Sequence, residues 1–225
     1  MTEESQFAYQ APIISHWRNE GQFTLPGVVY KGETGAYRLF EKMTEPMTQE
    51  QLSELYETEK QRGNPIPTDA PLIWAIAYAG YNLKDENPEV AKRLRAFLRN
   101  GLRRFPNTLT RIIYNPKEED SIVHNHGTSD EYSIEKAVVG PDVFIINIPD
   151  KKVLESLLGT EDVTRINNVS RWINSTNFSL WRLNSKSGKT DEGVAGFVAD
   201  DYRLDLYCDR DPLSEYPAFR VLRVD

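Results

Sequence analysis

A single cysteine, Cys208, stands in a chain of 225 residues, so no internal disulfide can brace the fold and the hydrophobic core must hold it alone. No apolar run approaches the roughly 20 residues that a membrane-spanning helix needs. Met1–Gln10 is acidic and polar, unlike a secretory or organellar signal. Together these absences point to a reducing compartment and an expected cytoplasmic location. Histidine is scarce, with three in the chain. Neither a Gly-x-Ser-x-Gly elbow nor a phosphate-cradling glycine loop nor a Gly-x-Gly-x-x-Gly fingerprint occurs, so the commonest serine-hydrolase and nucleotide chemistries lack their signatures. The acidic run Asp200, Asp201, Asp205, Asp209 and Asp211 lacks the Asp-x-Asp-x-Asp-Gly loop of a calcium site and reads as turn chemistry instead.

What is present suits a folded protein. Hydrophobic residues make up 39% and charged residues 27%, and aromatics at 11% argue against disorder. The net charge of −7 gives no bulk attraction to nucleic acid or to an anionic membrane, so neither is the expected partner of the chain as a whole.

The pattern divides near residue 105. Short apolar runs, Val28–Tyr30 and Tyr37–Phe40, sit among glycines and prolines (Pro12 to Gly35) and read as brief strands or ordered loops. Three helices follow. Thr48 and Gln51 form a capping box, with Met47 and Leu52 placed as a hydrophobic staple, and Gly63 with Pro65 marks the stop. A second helix is predicted from Thr68-Asp69 to about Asn82, apolar on all sides and therefore buried. Asn87-Pro88 opens a third, whose stripe runs Val90, Ala91, Leu94, Phe97, Leu98, Leu102 and Phe105. Beyond Pro106 the periodicity shortens. Strands are predicted at Leu109–Tyr114, Ser121–His126, Tyr132–Val139, Val143–Ile148, Phe178–Leu183, Val194–Ala199, Tyr202–Cys208 and Phe219–Val224, with helices at Asp150–Leu158 and Asp162–Ile173. The expected fold class is α+β: a mainly helical N-terminal part (residues 1–105) beside a largely antiparallel sheet with two inserted helices (residues 106–225), the two free to form one continuous domain.

His124-Asn125-His126 is the most suggestive short motif. In an extended segment a spacing of two puts both imidazoles on one side, with Glu118, Glu119, Asp120, Asp130 and Glu131 nearby. Two imidazoles and a carboxylate, Glu131 or else Asp130 or Asp120, suit a divalent metal such as zinc, iron or manganese, which could activate water for hydrolysis or serve oxygen chemistry. His124-x-His126 followed five residues on by Glu131 resembles the first metal motif of the cupins, and by that resemblance the three would be ligands. The glycine of that motif, six positions before the first histidine, is Glu118 here, and no histidine follows His126 to supply the second motif, so a complete cupin site is not expected. The plainer reading is a strand end carrying polar histidines near acids.

The basic helix 88–104 is a second candidate. Lys92, Arg93, Arg95, Arg99, Arg103 and Arg104 outnumber Glu89, and Arg95, Arg99 and Arg103 would present a face to phosphate groups or nucleic acid. The acids of the first helix (Glu50, Glu54, Glu57, Glu59) offer a neutralising neighbour, and a cationic C-terminal turn suits the helix dipole. Cys208 shares a side with Leu204 and Leu206 and reads as a buried structural thiol rather than a nucleophile. Trp17, Trp74, Trp172 and Trp181 read as core anchors before they read as a ligand groove. With no complete catalytic set visible, the leading expectation is a non-catalytic binding protein acting through contacts with a protein partner. A metal-dependent hydrolase using His124 and His126, and anion binding by the basic helix, are the alternatives.

Overall fold

The computed structural model describes residues 18–19, 21–186 and 188–225. Met1–Gln10, Pro12 and Trp17 lie outside the described residues. Hairpin chemistry starts the first sheet. β2 (Gln22–Tyr30) turns into β3 (Glu33–Phe40) through Lys31 and Gly32, whose φ angles of 51° and 76° are both left-handed, as a two-residue type I′ turn requires. β1 (Arg18–Asn19) adds to β2, β12 (Arg220–Arg223) to β3, and β4 (Ile66–Pro67) to β12, giving an antiparallel order β1-β2-β3-β12-β4. Among the described residues the last strand thus joins a sheet begun by the first.

Three helices follow β3 before the second sheet begins. α1 (Gln49–Gln61) carries the predicted capping box at Thr48 and Gln51, and Gly63 just past its end has φ 66°. α2 (Ala70–Glu86) is capped by Asp69 and is buried along most of its length. It runs a turn further than the apolar pattern suggests, up to Asn87. That residue ends α2 through its N–H to Leu83 O (2.7 Å) and caps α3 (Pro88–Leu102) through its side chain to Val90 N (3.3 Å), so no loop separates the helices. Phe105 does not continue the α3 stripe. It lies past the helix end with φ 56° and is 40% exposed.

The second sheet has the order β7-β6-β5-β10-β11-β9-β8. Its strands are β5 (Asn107–Tyr114), β6 (Ser121–His124), β7 (Tyr132–Glu135), β8 (Val143–Phe144), β9 (Phe178–Trp181), β10 (Asp191–Ala199) and β11 (Leu204–Arg210). Only β11 and β9 run parallel; the other pairs are antiparallel. β10 and β11 approach closely at Gly193, where a side-chain carbon would meet Cys208 O at 2.3 Å. α4 (Lys152–Leu158) and α5 (Val163–Asn174) are inserted between β8 and β9, with Gly159 left-handed at φ 74° between them. The fold is α+β, as the sequence pattern implies.

Two predicted strands, those over 132–139 and 143–148, end at Glu135 and Phe144. Val138 and Val139 leave the β7 ladder because their N–H groups donate to the buried Asp120 carboxylate (2.7 and 3.3 Å). After Phe144 the chain tightens into a 3-10 turn, Ile145–Asn147, instead of extending to Ile148. In β11, Leu204, Leu206 and Cys208 are buried as their alternation implies, and burial raises the Cys208 thiol above its usual value. Asp205 on the opposite side is buried too, under Ser179 and Arg203. A main core joins most of the elements, and a smaller cluster of Leu52, Tyr56, Leu109 and Ala218 seats α1. Trp74 of α2 meets Phe178 edge-on (4.9 Å) and stacks near Phe197 (6.2 Å), while Phe97 of α3 touches Phe23 and Phe219 (5.8 Å each). Such pairs contribute about 0.5–1.5 kcal/mol each beyond the area they bury. No helix among the described residues is long and apolar enough to cross a membrane.

Candidate functional site

The histidine pair does not form as the spacing implies. β6 stops at His124, and Asn125 takes φ 51°, so the alternation that would align His126 with His124 is broken by one left-handed residue. His124 is fully buried with both ring nitrogens engaged: Nε2 lies 2.8 Å from the Ser156 carbonyl and Nδ1 lies 2.9 Å from Thr110 Oγ1. A carbonyl only accepts, so Nε2 carries the proton. Thr110 accepts the Ala70 N–H at 3.0 Å and therefore donates its hydroxyl hydrogen to Nδ1. Ser156 sits in the last turn of α4, where helix carbonyls lack partners. His124 is thus a neutral structural pin between β5, β6 and α4, with no lone pair left for a metal.

His126 is half-buried in a separate hollow with Glu50, Ser53, Glu54, Glu57, Thr58 and Arg111. Its backbone is held by Leu109 O and the Ser53 hydroxyl, while its Nδ1 is buried without a hydrogen-bond partner. Glu131 bends back to accept the Gly127 N–H at 2.7 Å. Among the described residues no group of three or more histidine, cysteine, aspartate or glutamate side chains is placed to hold a metal ion. The set His124, His126 and Glu131 is therefore not brought together.

On α3, Arg95 and Arg99 are half-buried, while Arg103, which caps its C-terminus, is exposed and ion-paired with Asp201. Among the described residues Arg95 and Arg99 have no carboxylate partner. The α1 acids do not supply one: Glu57 accepts the Ser129 N–H (2.6 Å), and Glu59 takes Arg62 and Asn64.

A different set of residues does converge. Where the β2–β3 turn, the end of α1, the start of α2 and the β6–β7 connection meet, a cleft of about 540 Å³ opens, within the roughly 300–1,000 Å³ usual for small-ligand sites. Tyr30, Tyr37, Tyr56 and Tyr132 supply its walls, with Lys31, Lys60, Asn64, Asn125, Asp130 and Glu131 among its polar groups. Behind it lies Asp69, fully buried. Its Oδ1 caps α2 by accepting the Leu72 N–H (3.0 Å), and its Oδ2 accepts the hydroxyls of Tyr30 (2.5 Å) and, more weakly, Tyr132 (3.4 Å). Asn125 donates to the Tyr30 oxygen at 3.3 Å, the contact its left-handed backbone makes available. Tyr56 donates to Asp130, which also receives Lys60 Nζ at 2.6 Å.

Charge and burial set the state of these groups. Burial, then the Asp69 charge, raises the pKa of Tyr30 and of Tyr132, and burial with the Asp130 hydrogen bond does the same for Tyr56. The phenols stay protonated. Lys60, then Tyr56, holds the Asp130 carboxyl below its usual value. The Tyr132 ring is covered on one side by His124 (centroids 4.8 Å apart) and carries the Lys31 ammonium 3.7 Å from its centroid. None of these positions forms a local motif. Asp69 is legible in sequence only as a helix cap, and the tyrosines only as scattered aromatics.

Comparison with protein families, with curated proteins and with solved structures finds no match to this chain. The chemistry of the cleft has to be read from its own geometry.

Burial lowers the pKa of His124, against the attraction of Asp69, and burial then Arg111 lowers that of His126. Both rings therefore bind a proton more readily in the unfolded chain. Their contribution to stability is full above the ordinary histidine value of 6.5 and declines as pH falls through it. Long-range nitrogen–proton NMR spectra at neutral pH should show His124 as the Nε2–H tautomer, unmoved by added zinc, and His124→Gln should flatten the loss of stability on acidification. A zinc-dependent shift of the His124 ring nitrogens, or a protonated ring at neutral pH, would contradict this assignment.

Proposed function

We propose that the chain is a non-catalytic binding protein whose ligand site is the tyrosine-lined cleft. One observation carries the reading: four tyrosine rings drawn from separate parts of the chain wall a single cleft, and a buried carboxylate fixes two of them by their hydroxyls. Aromatic walls give large contact area at small entropic cost, and walls held from behind need no ordering when a ligand arrives. The same hydrogen bonds favour binding over catalysis. The hydroxyls of Tyr30, Tyr56 and Tyr132 donate to carboxylates and are held protonated, which leaves them neither bases nor nucleophiles.

The test is protein-observed NMR with tyrosine-labelled protein against a library of small fragments. Compounds that bind should move the Tyr30, Tyr56 and Tyr132 ring signals together. The folded Tyr132→Leu variant should bind them roughly tenfold more weakly, a loss of about 1.4 kcal/mol. A library that leaves these rings untouched, or hits that bind Tyr132→Leu as well as wild type, would count against the cleft.

A second reading, contact with a protein partner, draws support from the edge of the second sheet. β8 is its last strand, and the register pairs Phe144 with Ser179, which puts Phe144 and Trp181 on one face. Phe144, Ile146 and Trp181 are 49%, 62% and 37% exposed, apolar side chains beside an open strand edge. If this edge is used, Phe144→Asp with Ile146→Asp abolishes a complex recovered from cell extract while leaving fragment binding at the cleft intact. A complex indifferent to both changes would place the contact elsewhere.

A further inference from the structure

The occupant the cleft is built for can be read from what already sits in it. Lys31 projects from the tip of the β2–β3 turn and lays its ammonium 3.7 Å from the Tyr132 centroid and 5.3 Å from that of Tyr30. Lys60 lies 5.6 Å from the Tyr56 centroid. Three of the four tyrosine walls thus face an ammonium from the chain itself. Their hydroxyls donate to Asp69 and Asp130, which pushes electron density into the rings and strengthens their pull on a cation.

The charges agree with the rings. Lys60 is neutralised by Asp130, and Arg223 at the cleft margin is neutralised by Glu33 and Asp225. Lys31 has no carboxylate within ion-pairing reach among the described residues; Asp69 is engaged by hydroxyls behind the cleft and Glu131 by the Gly127 N–H. Removing the Lys31 ammonium therefore leaves a cleft with an excess of negative charge and a bare ring face. Among the described residues Lys31 is also the one cleft cation that can leave cheaply. It sits at an exposed turn tip, its seat is a ring face rather than an ion pair, and partial burial already disfavours its charge.

We propose that the cleft binds a small organic ammonium ion, an alkylated amine above all, whose cationic head takes the place over Tyr132 and Tyr30 that Lys31 fills in its absence. This rests on the cleft being a ligand site. Alkylated ammonium groups suit the seat better than lysine does, because they give up less hydration to reach an aromatic face. At about 540 Å³ the cleft is larger than the cationic head alone, which leaves room for the rest of such a ligand against Tyr37, Ile66 and Leu72.

Choline and its neutral isostere 3,3-dimethyl-1-butanol provide the test, titrated into the full chain and followed at the tyrosine rings and by calorimetry. Choline should bind and the isostere should bind about two- to thirtyfold more weakly, the range of one desolvated cation–π contact. Lys31→Asn keeps the turn, since Asn-Gly suits a type I′ geometry, and should tighten choline binding by a similar factor and the isostere, which gains only the vacated space, by less. Tyr132→Leu, with its fold checked by thermal unfolding, should abolish the preference for choline. Phosphocholine distinguishes the source of the ammonium: binding equal to choline assigns a phosphorylated headgroup, weaker binding assigns a free amine, and either supports a cation seat. If the isostere binds as tightly as choline, or Lys31→Asn weakens choline, the cation assignment is overturned while the cleft stands as a ligand site. If neither probe binds, the cation assignment is overturned and the fragment library decides the cleft separately.

Discussion

The carboxylate of Asp69 is where the two sheets and the central helix are tied together. With Oδ1 it closes the first turn of α2, and with Oδ2 it gathers Tyr30 from the first sheet and Tyr132 from the second. The start of α2 leaves few donors to satisfy, since Pro71 has no N–H, Leu72 goes to Asp69 and Ala70 goes to Thr110. Thr110 then hands its own hydrogen to His124, which caps α4 and backs the Tyr132 ring. One helix start therefore organises both the rear wall of the cleft and the histidine pin beneath it. The helix N-terminus also favours negative charge, so Asp69 is stabilised as an acceptor without a salt bridge. A buried acceptor deprived of such donors would cost about 1–3 kcal/mol each.

Rigidity at the back and freedom at the rim follow from this arrangement. Tyr37 and Tyr56 are nearly inaccessible, and Tyr30 and Tyr132 are held by their hydroxyls. Among the described charged groups of the cleft, Lys31 alone is fixed by nothing stronger than a ring face, at the end of a hairpin whose backbone is set by two left-handed residues. A stiff turn carrying a loose side chain is a suitable arrangement for a group that must stand aside for a ligand.

Much of the architecture was legible because it depends on local chemistry. The capping box at Thr48 and Gln51, the shared cap at Asn87-Pro88, and the left-handed glycines at Gly63 and Gly159 each announce a boundary within a few residues. The site was not legible for the converse reason. Tyr30, Tyr56, Asp69 and Tyr132 are spread over a hundred residues and meet only once two sheets and a helix are assembled, so no spacing marks them. His124 and His126 misled because period-two reasoning assumes an unbroken strand, and Asn125 leaves that conformation to reach Tyr30. Phe105 failed for a similar reason: its backbone turns left-handed just where the helical period would have buried it.

Asp69→Asn separates the two halves of the account in one protein. Asparagine is an equally good helix cap, so its oxygen can keep the Leu72 N–H, but its amide nitrogen faces the tyrosine hydroxyls as a donor and cannot accept from them. Tyrosine-labelled NMR spectra of this variant, read beside amide hydrogen exchange at the start of α2, measure both effects at once. The account predicts that α2 protection is kept while the Tyr30 and Tyr132 ring signals both move from their wild-type positions. Ring signals that stay where they are in the wild-type protein would contradict it.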